Sequence, residues 1–130
     1  MRVLLVDPDT VCRRDIGGAL ATAGCFVSSA ASGLEALMAI DRASDRPEVL
    51  VTEVVLPELD GFSLVRALRS NPATRHIGVV FVSARVDPLT VAQAVALNAR
   101  YFVMKPFVVE DVVRKVAAAR YEPSNTSSSR

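Results

Sequence analysis

The sequence predicts an α/β domain in which five parallel strands carry helices on both faces. Three observations lead there. Short β-branched or apolar runs alternate five times with longer stretches of helical period, the pattern of a parallel sheet wrapped by helices. The 130 residues suffice for one core and are too few for two. With 51% hydrophobic and 22% charged residues, the chain has the composition of a folding domain rather than of a disordered segment.

Strands are expected at residues 3–6, 26–30, 49–53, 77–82 and 101–104. The first and fourth are nearly continuous apolar runs, as strands buried on both faces should be. Asp9 or Thr10 can cap a first helix whose apolar positions Cys12, Ile16, Leu20 and Ala23 repeat at three and four residues, and Gly24 stops it. Ser32 and Glu35 form a capping box for the second helix. Asp60 caps a third helix carrying Leu64, Val65 and Leu68, which ends at Asn71-Pro72. Asp87-Pro88 opens the fourth helix as a cap followed by a proline at its first position, with a core stripe of Ala92, Val95 and Ala96. The fifth starts near Val109 and turns Val112, Val113 and Val116 inward, with Arg114 and Lys115 outward. The domain is expected over residues 1–120, and the small, polar residues 121–130 read as a disordered tail or the start of a linker.

Fifteen Lys and Arg against fourteen Asp and Glu leave a net charge of +1, with no basic stripe, and aromatics are 5% with no Trp. Neither a phosphate-backbone footprint nor a stacking platform is present, so no direct nucleic-acid partner is expected. Apolar runs such as Val3 to Val6 are four residues long where a membrane span needs about 20, and the first meets an acidic residue too soon for a signal-peptide core. The expected location is cytoplasmic, with no membrane partner. Cys12 and Cys25 lack a second pair and read as core thiols rather than a metal site or disulfide.

In an open α/β sheet, ligands bind beyond the carboxyl ends of the strands. Asp7 follows the first strand, Glu53 ends the third, Ser83 follows the fourth and Lys105 follows the fifth. Each alone suits a turn or a solvated loop. Together they collect two carboxylates, a hydroxyl and an ammonium at one sheet edge, a set able to hold a hard cation and a phosphoryl oxygen.

Val6-Asp7, Leu56-Pro57-Glu58-Leu59-Asp60-Gly61, Ser83-Ala84 and Lys105-Pro106-Phe107, each at a strand end and in this order, resemble the receiver domain of bacterial two-component response regulators. The resemblance covers residues 2 to about 119. It implies a flavodoxin-like, doubly wound (βα)5 fold with strand order 2-1-3-4-5, the first and third strands lying side by side. It also implies an acceptor carboxylate at the end of the third strand that takes a phosphoryl group from a sensor kinase's phosphohistidine, with Mg²⁺ offsetting the charge. In this sequence Ser83 would be the phosphoryl-binding hydroxyl, Lys105 the pairing lysine, Phe102 the switch aromatic, and Lys105-Pro106 a cis peptide bond.

The chain departs from that pattern. Glu53 stands at the acceptor position, where the family has aspartate, and one additional methylene displaces the carboxylate from in-line attack. Pro8 replaces the second acid after the first strand, while Asp9, one residue later, is placed for helix capping. Mg²⁺ held by Asp7 and Glu53 is therefore expected to be weak or absent, with no other cofactor. Tyr101 stands where the family often has Asp or Gly, and Val108 replaces a polar helix cap. With Arg100, these two residues point to a partner or homodimer surface over the fourth and fifth helices, or else to local repacking.

The expected function is a non-enzymatic pseudo-receiver in two-component phosphorelay signalling, working through protein partners, a sensor kinase or a downstream effector, with Glu53 holding one conformation. A conventional phospho-accepting response regulator is one alternative. A flavodoxin-like small-molecule-binding protein, or an enzyme using Asp7 and Glu53 as acid and base, is the other, and the lack of a Gly-rich loop after the first strand argues against it.

Overall fold

The computed structural model describes residues 1–120, so the tail expected from residue 121 lies outside the described residues. Strands and helices alternate as β1 Arg2–Val6, α1 Thr10–Thr22, β2 Phe26–Ala30, α2 Gly33–Arg42, β3 Val49–Thr52, α3 Gly61–Ser70, β4 Gly78–Ser83, α4 Pro88–Ala96, β5 Tyr101–Met104 and α5 Val109–Ala119. The sheet runs β2-β1-β3-β4-β5 with every neighbouring pair parallel. No helix among the described residues is long and apolar enough to cross a membrane.

The period of two along each strand divides the interior into two cores. Leu4, Val6, Leu50, Val79 and Phe81 face α2, α3 and α4, while Val3, Leu5, Val49, Val51, Val80, Val82 and Val103 face α1 and α5. Phe81 is fully buried, edge-on to Phe62 at 5.3 Å and tilted against Phe102 at 6.0 Å. Truncating it to Ala would cost about 3–5 kcal/mol, because the cavity adds to the lost transfer energy. The edge strand β2 is different, with Phe26, Ser28 and Ser29 exposed.

Helix starts follow their caps. Asp9 accepts from the Val11 amide at 2.8 Å, Ser32 from Glu35 at 3.1 Å, Asp60 from Ser63 at 2.8 Å and Asp87 from Thr90 at 3.0 Å. The Glu35 carboxylate accepts from Ala31 at 2.8 Å, one residue before the cap itself. Helix α1 ends in a Schellman turn, with Gly24 at φ 95° and the amides of Gly24 and Cys25 returning to Ala21 and Leu20. Asn98, at φ 61°, ends α4 in the same way.

Some element details differ from expectation. The core stripe of α4 is not Ala92, Val95 and Ala96, all exposed, but Thr90 and Ala94. A helix apolar on nearly every side gives its period little contrast, and a threonine can be buried there because its hydroxyl donates to Asp87 at 2.8 Å. In α1, Ala23 is the exposed C-cap and Cys12 is half-buried, and in α5 Val113 is half-buried while Ala119 joins the core. Strand β3 stops at Thr52, one residue before Glu53, and Ser83 is the last residue of β4 rather than the first of the loop. Cys12 and Cys25 are free thiols, both half-buried.

Candidate functional site at the carboxyl edge of the sheet

The backbone ladder continues one step past the strands and fixes where each side chain begins. The Asp7 amide donates to Ala30 at 3.1 Å, the Glu53 amide to Val6 at 2.9 Å, and the Lys105 amide to Ser83 at 2.9 Å. Gly61, at the start of α3, packs so closely under Glu53 that a Cβ there would lie 2.3 Å from the Glu53 carbonyl oxygen. Only glycine lets α3 approach this loop, and its amide in turn donates to the Val54 carbonyl at 2.8 Å.

Three charged side chains meet at this edge. The Lys105 ammonium lies 2.8 Å from Asp7 Oδ2 and 2.9 Å from Glu53 Oε1, with side-chain exposures of 19%, 3% and 9% for Lys105, Asp7 and Glu53. The second oxygen of each carboxylate is also occupied. Asp7 Oδ1 accepts from the Asp9 amide at 2.8 Å, and Glu53 Oε2 accepts from the amides of Val54 at 2.6 Å and Val55 at 3.1 Å. Burial alone would push the Lys105 ammonium down, but hydrogen bonds to Asp7 and Glu53, reinforced by their charges, hold it above the ordinary lysine value.

The neighbours on α1 complete the edge. Asp9 caps α1 by accepting from the Val11 and Cys12 amides, and the amides of Cys12 and Val11 hold its carboxyl below the usual range. Burial pushes the Cys12 thiol up, against the pull of the Lys105 charge. The Arg13 guanidinium donates to the Asp7 carbonyl.

Ser83 is 1% exposed, yet its hydroxyl is turned onto its own loop, accepting from the Arg85 amide at 3.1 Å. The expected four-residue cluster is thus a three-residue ion cluster with Ser83 beside it. Phe102 is half-buried against Phe81, and the Lys105-Pro106 peptide bond is cis. Arg100 is exposed, Val108 is 64% exposed and leaves α5 without a side-chain cap, and Tyr101 is half-buried against the core shared with α1 and α5.

Sequence reasoning missed two features. The Val54 and Val55 amides point back at Glu53, a backbone direction that residue types do not encode. Exposed apolar side chains Leu89, Val95 and Met104, at 68%, 64% and 58%, join Val108 on the outer side of α4, β5 and α5. Their signal was present: that segment carries more apolar residues than one buried face can use.

The sequence and the fold match known proteins. Residues 3–117 match the family model described as the response regulator receiver domain. The chain belongs to that family. The response regulator MprA of Mycobacterium avium (strain 104) is 33% identical over 131 aligned positions, covering 99% of this receiver domain and 56% of MprA. The gliding motility regulatory protein of Myxococcus xanthus is 36% identical over 88 positions, 68% of this chain and 11% of that protein. The chain spans about half the length of the MprA proteins it matches. The chemotaxis response regulator CheY4 of Vibrio cholerae superposes with a TM-score of 0.83 at 27% identity, covering 91% of this chain and 97% of CheY4.

The family implies a divalent cation at this edge of a receiver domain, and the donor set tests that. A hard dication takes about six oxygen ligands. Here all four oxygens of Asp7 and Glu53 already accept hydrogen bonds or pair with Lys105, and Pro8 adds no side-chain oxygen. Among the described residues no group of three His, Cys, Asp or Glu side chains is placed to hold a metal, and a dication at Asp7 and Glu53 would compete with the Lys105 ammonium for the same oxygens. A surface groove of about 870 Å³ along the seam of α1 and α5 is lined by none of Asp7, Glu53, Ser83 or Lys105.

Proposed function

We propose that this receiver domain is a pseudo-receiver, a non-enzymatic signalling module that acts through protein contacts and does not depend on an acceptor phosphate. The supporting observation is the double engagement of Glu53. One carboxylate oxygen pairs with Lys105 at 2.9 Å and the other takes the Val54 and Val55 amides. The residue at the acceptor position thus supplies a standing negative charge, and both of its oxygens already pair with Lys105 or accept from backbone amides.

An acid–base enzyme is disfavoured by the same contacts, because one ammonium ties up both carboxylates. Partners are a sensor kinase, a downstream effector or a second copy, and the exposed apolar residues Leu89, Val95, Met104 and Val108 on α4, β5 and α5 supply the surface. Mg²⁺ binding is weak, since it must displace Lys105 from the carboxylates.

Incubation with a small phosphodonor and Mg²⁺, followed by intact-mass measurement, tests the reading. The expected result is no stable phosphoryl increment. An increment that disappears in Glu53→Gln would establish the conventional phospho-accepting alternative. The double variant Pro8→Asp with Glu53→Asp is expected to gain both Mg²⁺ affinity and phosphorylation.

A further inference from the structure

We infer that Arg69 is a positioning residue that pins the C-terminal end of α4, so that this helix pivots there and moves at its N-terminal end. Helix α4 is held chiefly at its ends. Of its nine residues only Thr90 and Ala94 are buried, and Leu89, Val91 and Val95 are exposed. At its start the cap is local, with the exposed Asp87 accepting from the amide and hydroxyl of the buried Thr90 and, among the described residues, no residue from another element fastening it.

The other end is fastened from outside. Arg69, in the last turn of α3, donates through Nε to the Leu97 carbonyl at 2.9 Å and through Nη2 to that of Asn98 at 3.4 Å. Its Nη1 donates to the carbonyls of Arg75 at 2.8 Å and Ile77 at 2.7 Å, in the segment that enters β4. One rigid guanidinium therefore ties the end of α4 to two other backbone segments. No carboxylate lies at ion-pair distance from it among the described residues, and burial pushes its guanidinium below the usual arginine value. Carbonyl dipoles, including those at the negative end of α4, take the place of a counter-ion.

The direction of movement follows. A nine-residue helix is about 13–14 Å long, so a 10° tilt about Leu97 displaces the first turn by roughly 2 Å. That end, held by Thr90 alone, follows the loop from Ser83, the strand end beside the Lys105 cluster. The inference does not require the pseudo-receiver reading, since it concerns how α4 is held whether or not phosphate is accepted.

Residue-resolved amide hydrogen exchange tests it on the wild type, Arg69→Met, Arg69→Lys and Asp87→Ala. In the wild type, amides 97–99 are expected to exchange at least 10-fold more slowly than amides 91–93. Arg69→Met is expected to abolish that difference by accelerating 97–99. Arg69→Lys, whose ammonium cannot serve four carbonyls, is expected to fall between the two and remains the informative variant if Arg69→Met does not fold. Asp87→Ala is expected to accelerate only the first turn. Equal protection at both ends of α4 in the wild type overturns the pivot. A uniform acceleration across α3, β4 and α4 in the Arg69 variants reduces Arg69 to general stability and likewise overturns it.

Discussion

Removing Lys105 is expected to harm this domain far more than neutralising Glu53, although both changes break the same ion pair. In Lys105→Met, the carboxylates of Asp7 and Glu53 lose the ammonium that lies within 2.9 Å of each and are left facing one another, at 3% and 9% side-chain exposure. Their nearest oxygens are then at most about 6 Å apart, where like charges repel by roughly 3 kcal/mol at an effective dielectric near 20. Stranding buried charges typically costs about 3–5 kcal/mol, in agreement with that figure. In Glu53→Gln, Lys105 keeps Asp7 at 2.8 Å, and the amide oxygen can still accept from Lys105 or from Val54. What is lost is the charge assistance of those bonds, about 1–2 kcal/mol.

Urea unfolding followed by circular dichroism separates the two, with Lys105→Met lower than Glu53→Gln by about 2 kcal/mol. The double variant sharpens the argument. Taking the charge off Glu53 removes the repulsion created by losing Lys105, so Lys105→Met with Glu53→Gln is expected to be more stable than Lys105→Met alone. Strict additivity of the two single changes would refute the picture of one ammonium balancing two carboxylates.

Two further outcomes are expected. Val108→Ser gives α5 the side-chain cap it lacks and is expected to raise stability by about 1 kcal/mol in urea unfolding, because Val108 is 64% exposed and contributes little to the core; a loss instead would assign Val108 to packing within the monomer. Asp9, Asp87 and Asp111 are each held below the ordinary carboxyl range, the first two chiefly by backbone amides of their helix starts and the third by Lys115, so their contributions are present above pH about 4 and fade as pH falls through the depressed values. Amide exchange between pH 4 and 2 should therefore show the first turns of α1 and α4 opening before the β1, β3 and β4 ladders, and simultaneous loss would contradict it.

What the sequence made legible follows from how many neighbours each feature needs. β1 and β4 could be read from their own residues, because a strand buried on both faces must be apolar throughout. The caps at Asp9, Ser32, Asp60 and Asp87 were legible for the same reason, since each partner amide lies within three residues. The buried stripe of α4 was not, because Thr90 is admitted to the interior only by its bond to Asp87, and the apolar residues around it offer no contrast. At the site, strand ends sufficed to bring Asp7, Glu53 and Lys105 to one edge. They did not reveal that Lys105 divides itself between both carboxylates, or that the Ser83 hydroxyl turns to Arg85. Those are choices of rotamer among several local partners. The consequence is largest for Glu53. Its position marks it as a pocket carboxylate, but what a carboxylate can do depends on which donors already hold its lone pairs. With Lys105 on one oxygen and the Val54 and Val55 amides on the other, it acts as counter-ion and backbone cap together, so a phosphoryl group or a cation would compete with those donors for its oxygens.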